Sequence, residues 1–330
     1  MRKTLFALIA VLTTLAFAPS AGAVKFGNPD VENRYPWVGL MVAVDDDGEP
    51  MWRCTGSLLS EDLFLTAGHC VGYDPDTDET PSKVYLWFTT GAETINTDPQ
   101  YAINLAYQDT LSDAAAEAFN VCLGDPTKTF EGKPLLPVLG YPCGGYDAWG
   151  LPQAYKDWSG SLTIPQTYDV GIVYDITWTP HDLPIQGHAY TKPTSYGTIA
   201  DLGKLDDLAA MKGPGSKGNI EFTVVGYGLQ SVKPIQSALK QRMVGTVSFV
   251  NFNSALSGAI NLHYSNNPGQ GHGGPGGTCF GDSGGPVLYK GEIVAVNSFV
   301  LNLNCNGAGF GYRVESELVA EFLADYGYTG

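Results

Sequence analysis

Positive charge is scarce in this chain. Eighteen lysines and arginines stand against 34 aspartates and glutamates, a formal net charge of −16. There is no Lys/Arg-rich tract to neutralise phosphates, which excludes nucleic acid and anionic membrane surfaces as partners. Long apolar runs are missing too. After the first residues, no stretch approaches the roughly 18 unbroken apolar residues of a membrane span. Metal patterns are absent: there is no C-x-x-C, no H-E-x-x-H and no histidine at ligand spacing. Two acidic clusters, Asp45–Glu49 and Asp74–Glu79, invite a calcium reading. The second has no glycine at its sixth position and no glutamate at its twelfth, so both read as solvated loop charge. No metal and no cofactor is expected, and no internal repeat is visible.

The N-terminus reads as an export signal. Arg2 and Lys3 precede an apolar run from Leu5 to Phe17, Pro19 breaks it, and Ala21-Gly22-Ala23 supplies small residues for cleavage. Residues 1–23 are therefore expected to be removed and the rest secreted. An even number of cysteines fits an oxidising compartment. Cys54, Cys70, Cys122, Cys143, Cys279 and Cys305 read as three disulfides. Fifteen pairings are possible. The neighbour pairing joins 54 to 70, 122 to 143 and 279 to 305.

The mature chain reads as all-β. Forty-one glycines and 21 prolines punctuate short runs rich in Val, Tyr, Thr and Phe. Strands are predicted at 38–44, 51–59, 63–67, 84–88, 170–174, 222–225, 243–250, 260–264, 287–289, 293–300 and 309–314. Lys290-Gly291 is a hairpin turn between two of them. Residues 90–160 read as an insertion, with a short helix at 112–119 capped by Ser112. Val314, Leu318, Phe322 and Tyr326 recur at helical spacing, and Gly327 stops that last helix.

Three short segments carry chemistry. The first is Gly281-Asp282-Ser283-Gly284-Gly285-Pro286. A nucleophilic serine needs an exposed Oγ and nearby N–H groups, and flanking glycines let the backbone approach closely. The second is Leu65-Thr66-Ala67-Gly68-His69-Cys70, at the end of an apolar strand. A lone histidine is ordinarily a core imidazole. Here a bridge from Cys70 to Cys54 would close a small loop, worth roughly 3 kcal/mol, and steady the strand carrying it. The third is Tyr168-Asp169-Val170-Gly171-Ile172-Val173. A carboxylate at the head of a buried strand needs a partner, and an imidazole N–H is suitable.

Chain order separates the possible folds. Gly281-x-Ser283-x-Gly285 also fits a nucleophile elbow, but that fold needs its histidine after the serine, and the last histidine is His272. The subtilisin order, Asp–His–Ser, belongs to an α/β chain. Only His69–Asp169–Ser283 fits both the order and the strand context.

With these blocks in order, joined by Cys54-Thr55-Gly56-Ser57-Leu58 and Gly226-Tyr227-Gly228, the chain resembles the trypsin/chymotrypsin-like serine peptidases, bacterial secreted members above all. The resemblance covers most of the mature chain outside residues 90–160. It implies two six-stranded antiparallel Greek-key barrels and a C-terminal helix. Residues 24–178 would carry His69 and Asp169, and 179–330 would carry Ser283. It implies a triad of Ser283 as nucleophile, His69 as base and Asp169 as its orienting carboxylate, with Gly281 and Ser283 N–H groups as the oxyanion hole. Ser298 would contact the aspartate and the substrate backbone. Gly277, Val300 and Gly309 would shape the primary pocket. With no carboxylate at 277 and a branched Val300, small or medium apolar side chains are expected there. Removal of residues 1–23 would free Val24 to pair its ammonium with Asp282. The expected activity is peptide-bond hydrolysis by a monomer, on protein or peptide substrates. A non-catalytic binding module on the same fold, an esterase and a narrow-specificity peptidase are the rival readings.

Overall fold

The computed structural model describes residues 24–45, 50–72, 81–91, 169–178, 192–211, 220–230, 240–251, 260–266 and 276–330, with six short backbone strands between 129 and 189. The leader, the helix expected at 112–119, the pair Cys122 and Cys143 and nearly all of the acidic clusters lie outside the described residues.

The first half contains β1 (Asn28–Pro29), β2 (Val38–Val44), β3 (Pro50–Leu58), β4 (Leu63–Thr66) and β5 (Lys83–Trp87). Short strands follow: β6 (Thr129–Phe130), β7 (Lys133–Pro134), β8 (Ala154–Asp157) and β9 (Ser161–Thr163). Next come β10 (Gly171–Tyr174), β11 (Thr177–Trp178), β12 (Pro184–Ile185) and β13 (His188–Ala189). The second half holds β14 (Glu221–Gly226), β15 (Met243–Asn251), β16 (Asn261–Ser265), β17 (Pro286–Tyr289), β18 (Glu292–Val300) and β19 (Ala308–Arg313). The helices are α1 (Gly68–Val71), α2 (Lys204–Ala210) and α3 (Glu317–Ala324).

Two antiparallel sheets result. The C-terminal one runs β1-β15-β14-β17-β18-β19-β16, and pairing of β15 with β16 closes six strands into a barrel. The N-terminal one runs β11-β8-β5-β2-β3-β4-β10-β9 and curls without closing among the described residues. The architecture is thus one closed six-stranded barrel beside an eight-stranded half-barrel, where twin six-stranded barrels were expected. β8, in the region read as insertion, adds a strand beside β5, and β9, just past that region, forms the sheet's other end.

Sequence pattern explains these elements. Every residue of β2 is buried, so it reads as an unbroken apolar run. β16 alternates instead, with Leu262 and Tyr264 buried between half-buried neighbours, so Tyr264 projects into the barrel. Lys290 and Gly291 both take positive φ, 53° and 95°, as a two-residue turn of right-handed strand twist demands. Ser316 caps α3 by accepting from Val319 N, and Val319 and Leu323 face inward. Just past the helix, Tyr326 packs on Tyr174 of β10 at 4.8 Å, docking the C-terminus on the N-terminal sheet.

One buried charge rivets the two halves. Arg242, just before β15, is 0% exposed. Its Nε donates to Asp30 Oδ2 at 2.9 Å, Nη1 to the Thr89 carbonyl at 2.7 Å, and Nη2 to Asn33 Oδ1. Asp30 in turn accepts from the N–H groups of Arg34 and Tyr35. A buried guanidinium persists only when its donors are met this way.

Candidate active site

Strand register brings the histidine and aspartate together. In the β4–β10 ladder Gly171 faces Thr66. Continuing that antiparallel register carries Asp169 alongside the start of α1, where His69 sits. The Asp169 carboxylate accepts from the His69 backbone N–H at 2.8 Å, and His69 Nδ1 lies 3.0 Å from both carboxylate oxygens. Ser298 Oγ donates to Asp169 Oδ2. With its proton on Nδ1, the imidazole keeps Nε2 as an acceptor. Burial pushes the Asp169 carboxyl up, but the His69 hydrogen bond and charge and the Ser298 hydroxyl outweigh it and hold it below the usual value. Asp169 is therefore an anion at neutral pH.

Cys54–Cys70 and Cys279–Cys305 are disulfides. The first ties α1 to β3. The second ties the segment before Ser283 to the loop before β19. Cys54, Cys70 and His69 also cluster at ligand distance, but sulfurs spent in a disulfide are not thiolate ligands.

Ser283 shares one cleft of about 460 Å³ with His69 and Asp169. Its Oγ makes no hydrogen bond among the described residues. The loop around it is strongly determined. Gly284 sits at φ +80°, and a Cβ there would lie 2.1 Å from Thr66 Oγ1 and 2.3 Å from the Thr55 carbonyl. Gly284 N–H donates to the Asn297 carbonyl at 2.7 Å, and Thr55 Oγ1 donates to the Gly281 carbonyl at 2.7 Å. The Phe280 carbonyl accepts from Leu229 N at 2.8 Å. A trans peptide sets N–H opposite C=O, so the Gly281 N–H turns away from Leu229. Among the described residues, neither the Gly281 nor the Ser283 N–H has a protein acceptor.

Asp282 is fully buried behind this loop. Its oxygens accept from Gly228 N at 2.8 Å and Cys279 N at 2.9 Å. Burial pushes its carboxyl up to about 7, with those N–H groups and the nearby Arg53 charge pulling the other way. Val24, still joined to residue 23 in the uncut chain, is buried in the core of the closed barrel at φ +50°. Lys25 beside it donates to the Asn304 carbonyl at 2.6 Å and to Asn306 Oδ1 at 2.5 Å. Burial lowers the Lys25 pKa.

The pocket differs from expectation in detail. Among the described residues, Ser298 and Val300 line the cleft, and Gly277 and Gly309 do not. A Cβ at 309 would meet the Tyr264 ring at 2.3 Å, and one at 277 would meet Asn266 at 3.1 Å. Thr278, Phe280, Asn297 and Phe299 line the cleft as well. None of these four stood out in the sequence. Asn297 carried a signal all the same, as a lone amide in the apolar run 293–300.

A family model described as Trypsin matches residues 25–103 and 205–320, more than half of the chain. Among solved structures, HL collagenase is 14% identical over 91% of this chain and 99% of its own, with a TM-score of 0.50. A mutant of human heparin binding protein (CAP37) is 14% identical over 92% and 95%, with a TM-score of 0.48. The scabies mite inactivated protease paralogue S-D1 is 14% identical over 93% and 99%, with a TM-score of 0.46. Curated proteins give no match. At such identity the likeness to HL collagenase speaks for the fold alone.

Proposed function

The chain belongs to the trypsin family, and from that premise we propose that it is an exported serine endopeptidase acting through His69, Asp169 and Ser283. One observation carries the reading: an ionised Asp169, bonded to His69 Nδ1 and to Ser298, lies in the same cleft as Ser283. That arrangement suits a base that takes the Ser283 proton as Oγ attacks the scissile carbonyl. The tetrahedral oxyanion would be met by the Gly281 and Ser283 N–H groups. His69 would pass the proton to the leaving amine, and water would then release the acyl group by the same steps in reverse.

Export belongs to the same reading. Residues 1–23 would direct secretion, and disulfides suit an oxidising compartment. Cleavage after Ala23 would leave an ammonium on Val24. Asp282, buried with backbone donors and a neighbouring guanidinium, is the proposed acceptor for it. The test is direct. Purified residues 24–330 should cleave a mixed peptide library and be labelled at Ser283 by a serine-directed phosphonate, while Ser283→Ala does neither. Labelling without peptide cleavage, or turnover of esters alone, would favour the esterase. Neither would favour a binding module.

A further inference from the structure

Asn297 is 2% exposed, lines the cleft, and has its Nδ2 buried without a partner among the described residues. A buried donor left unpaired costs free energy that a bound acceptor would recover. Its Oδ1 is occupied, accepting from Tyr264 O–H at 2.8 Å. That phenol has one proton. The 3.0 Å contact between Tyr264 and Thr278 Oγ1 therefore runs from threonine to tyrosine. Thr278 also lines the cleft. Its hydroxyl proton is spent on Tyr264, and its lone pairs are left to accept. Asn266 pins Thr278 through both backbone groups, at 2.8 and 3.0 Å. Burial pushes the Tyr264 phenol up, so it remains a protonated donor.

At the cleft wall the relay leaves two groups unspent at its ends, a donor on Asn297 Nδ2 and an acceptor on Thr278 Oγ1. Turning the Asn297 amide end for end reverses every proton along the relay. Asn297 then offers the acceptor and Thr278 the donor, so the pairing survives. A carboxylate offers only acceptors, an ammonium only donors, and an aliphatic chain neither. Among the described residues, no Lys or Arg lines the cleft to hold a carboxylate. A carboxamide supplies one of each. We propose, resting on the peptidase reading, that Asn297 and Thr278 select substrates with glutamine or asparagine on the acyl side of the cleaved bond.

The experiment has two arms. In the first, residues 24–330 are given matched peptides differing only at that position, with Gln, Asn, Glu or Leu. The carboxamide peptides should exceed the Leu and Glu peptides at least about 10-fold in kcat/KM, as expected for one or two buried hydrogen bonds. Asn297→Leu and, separately, Thr278→Val should each shrink that ratio several-fold. In the second arm, Ser283→Ala is titrated calorimetrically with product peptides ending in the same four residues, and the same order of affinity is expected. Equal or better handling of Leu or Glu by the wild-type chain overturns the proposal, as does an unchanged ratio in both variants. If no peptide is cleaved yet the carboxamide ends bind best, the peptidase reading falls and the specificity stands. If the binding arm shows no preference, the specificity falls.

Discussion

The main-chain N–H of Thr55 donates to the main-chain carbonyl of Ser283 at 2.8 Å. Thr55 follows Cys54, whose disulfide reaches Cys70, the neighbour of His69. The serine loop and the histidine turn are thereby fixed to one strand, β3, although they are far apart along the chain. Replacing both cysteines by alanine is expected to cost about 3 kcal/mol, the loop-closure term for a bridge of this span. Denaturant unfolding measures the loss, and activity at a temperature where the variant is folded should still fall.

Gly284→Ala should be more damaging than its one methyl suggests. The added carbon would meet two oxygens at 2.1 and 2.3 Å while the backbone keeps a φ that L-residues resist. A loss of several kcal/mol is expected, read as a lowered Tm, together with loss of turnover.

Ser283→Ala and His69→Ala should leave Tm within a degree or two, since Ser283 Oγ is unbonded and the imidazole is half exposed. Turnover of a peptide substrate should drop by about a million-fold, the scale seen when such a unit loses its nucleophile or base. A fold-intact variant with wild-type turnover would remove the mechanism.

Ser298→Ala tests the outer member of the relay. Losing its donated hydrogen bond leaves Asp169 Oδ2 to His69 alone and lets that carboxyl rise toward its ordinary value. A fall in kcat of about 10-fold, with the double variant Ser298→Ala/His69→Ala no worse than His69→Ala, is the expected pattern.

Asp282 makes the uncut chain sensitive to pH. Its folded value, about 7, lies above the ordinary carboxylate near 3.9. The linked stability is complete below about pH 4 and is lost as pH rises through 7, on the order of 4 kcal/mol at most. Asp282→Asn should flatten that part of the Tm profile. Removing residues 1–23 should also flatten it if the Val24 ammonium joins Asp282, and an identical profile before and after removal would argue against that pair.

The strands were legible because their apolar runs are long and bounded by turn residues. Val38–Val44 and Ala308–Arg313 fall within a residue or two of expectation. α2 was not, because Leu205 and Leu208 give too few turns for a period. It is held instead by tertiary contact, where Glu315 Oε1 accepts from Leu205 N at 2.9 Å. His69, Asp169 and Ser283 could be named from motif and order, but Asn297 could not be assigned a role. The role proposed for it rests on the company of Tyr264, 33 positions away, and local pattern carries no record of such a meeting. Nor does local pattern record that the Tyr264 ring fills the space beside Gly309.

Arg242 limits how this molecule could be taken apart. Its guanidinium sits at the edge of one barrel and spends its donors on Asp30, Asn33 and Thr89. A chimera grafting residues 240–330 onto another protein's front half would strand a cation with no water and no anion. The cut would have to carry the segment from Asp30 to Asn33 along with it, so the smallest transplantable piece is not one continuous stretch of chain.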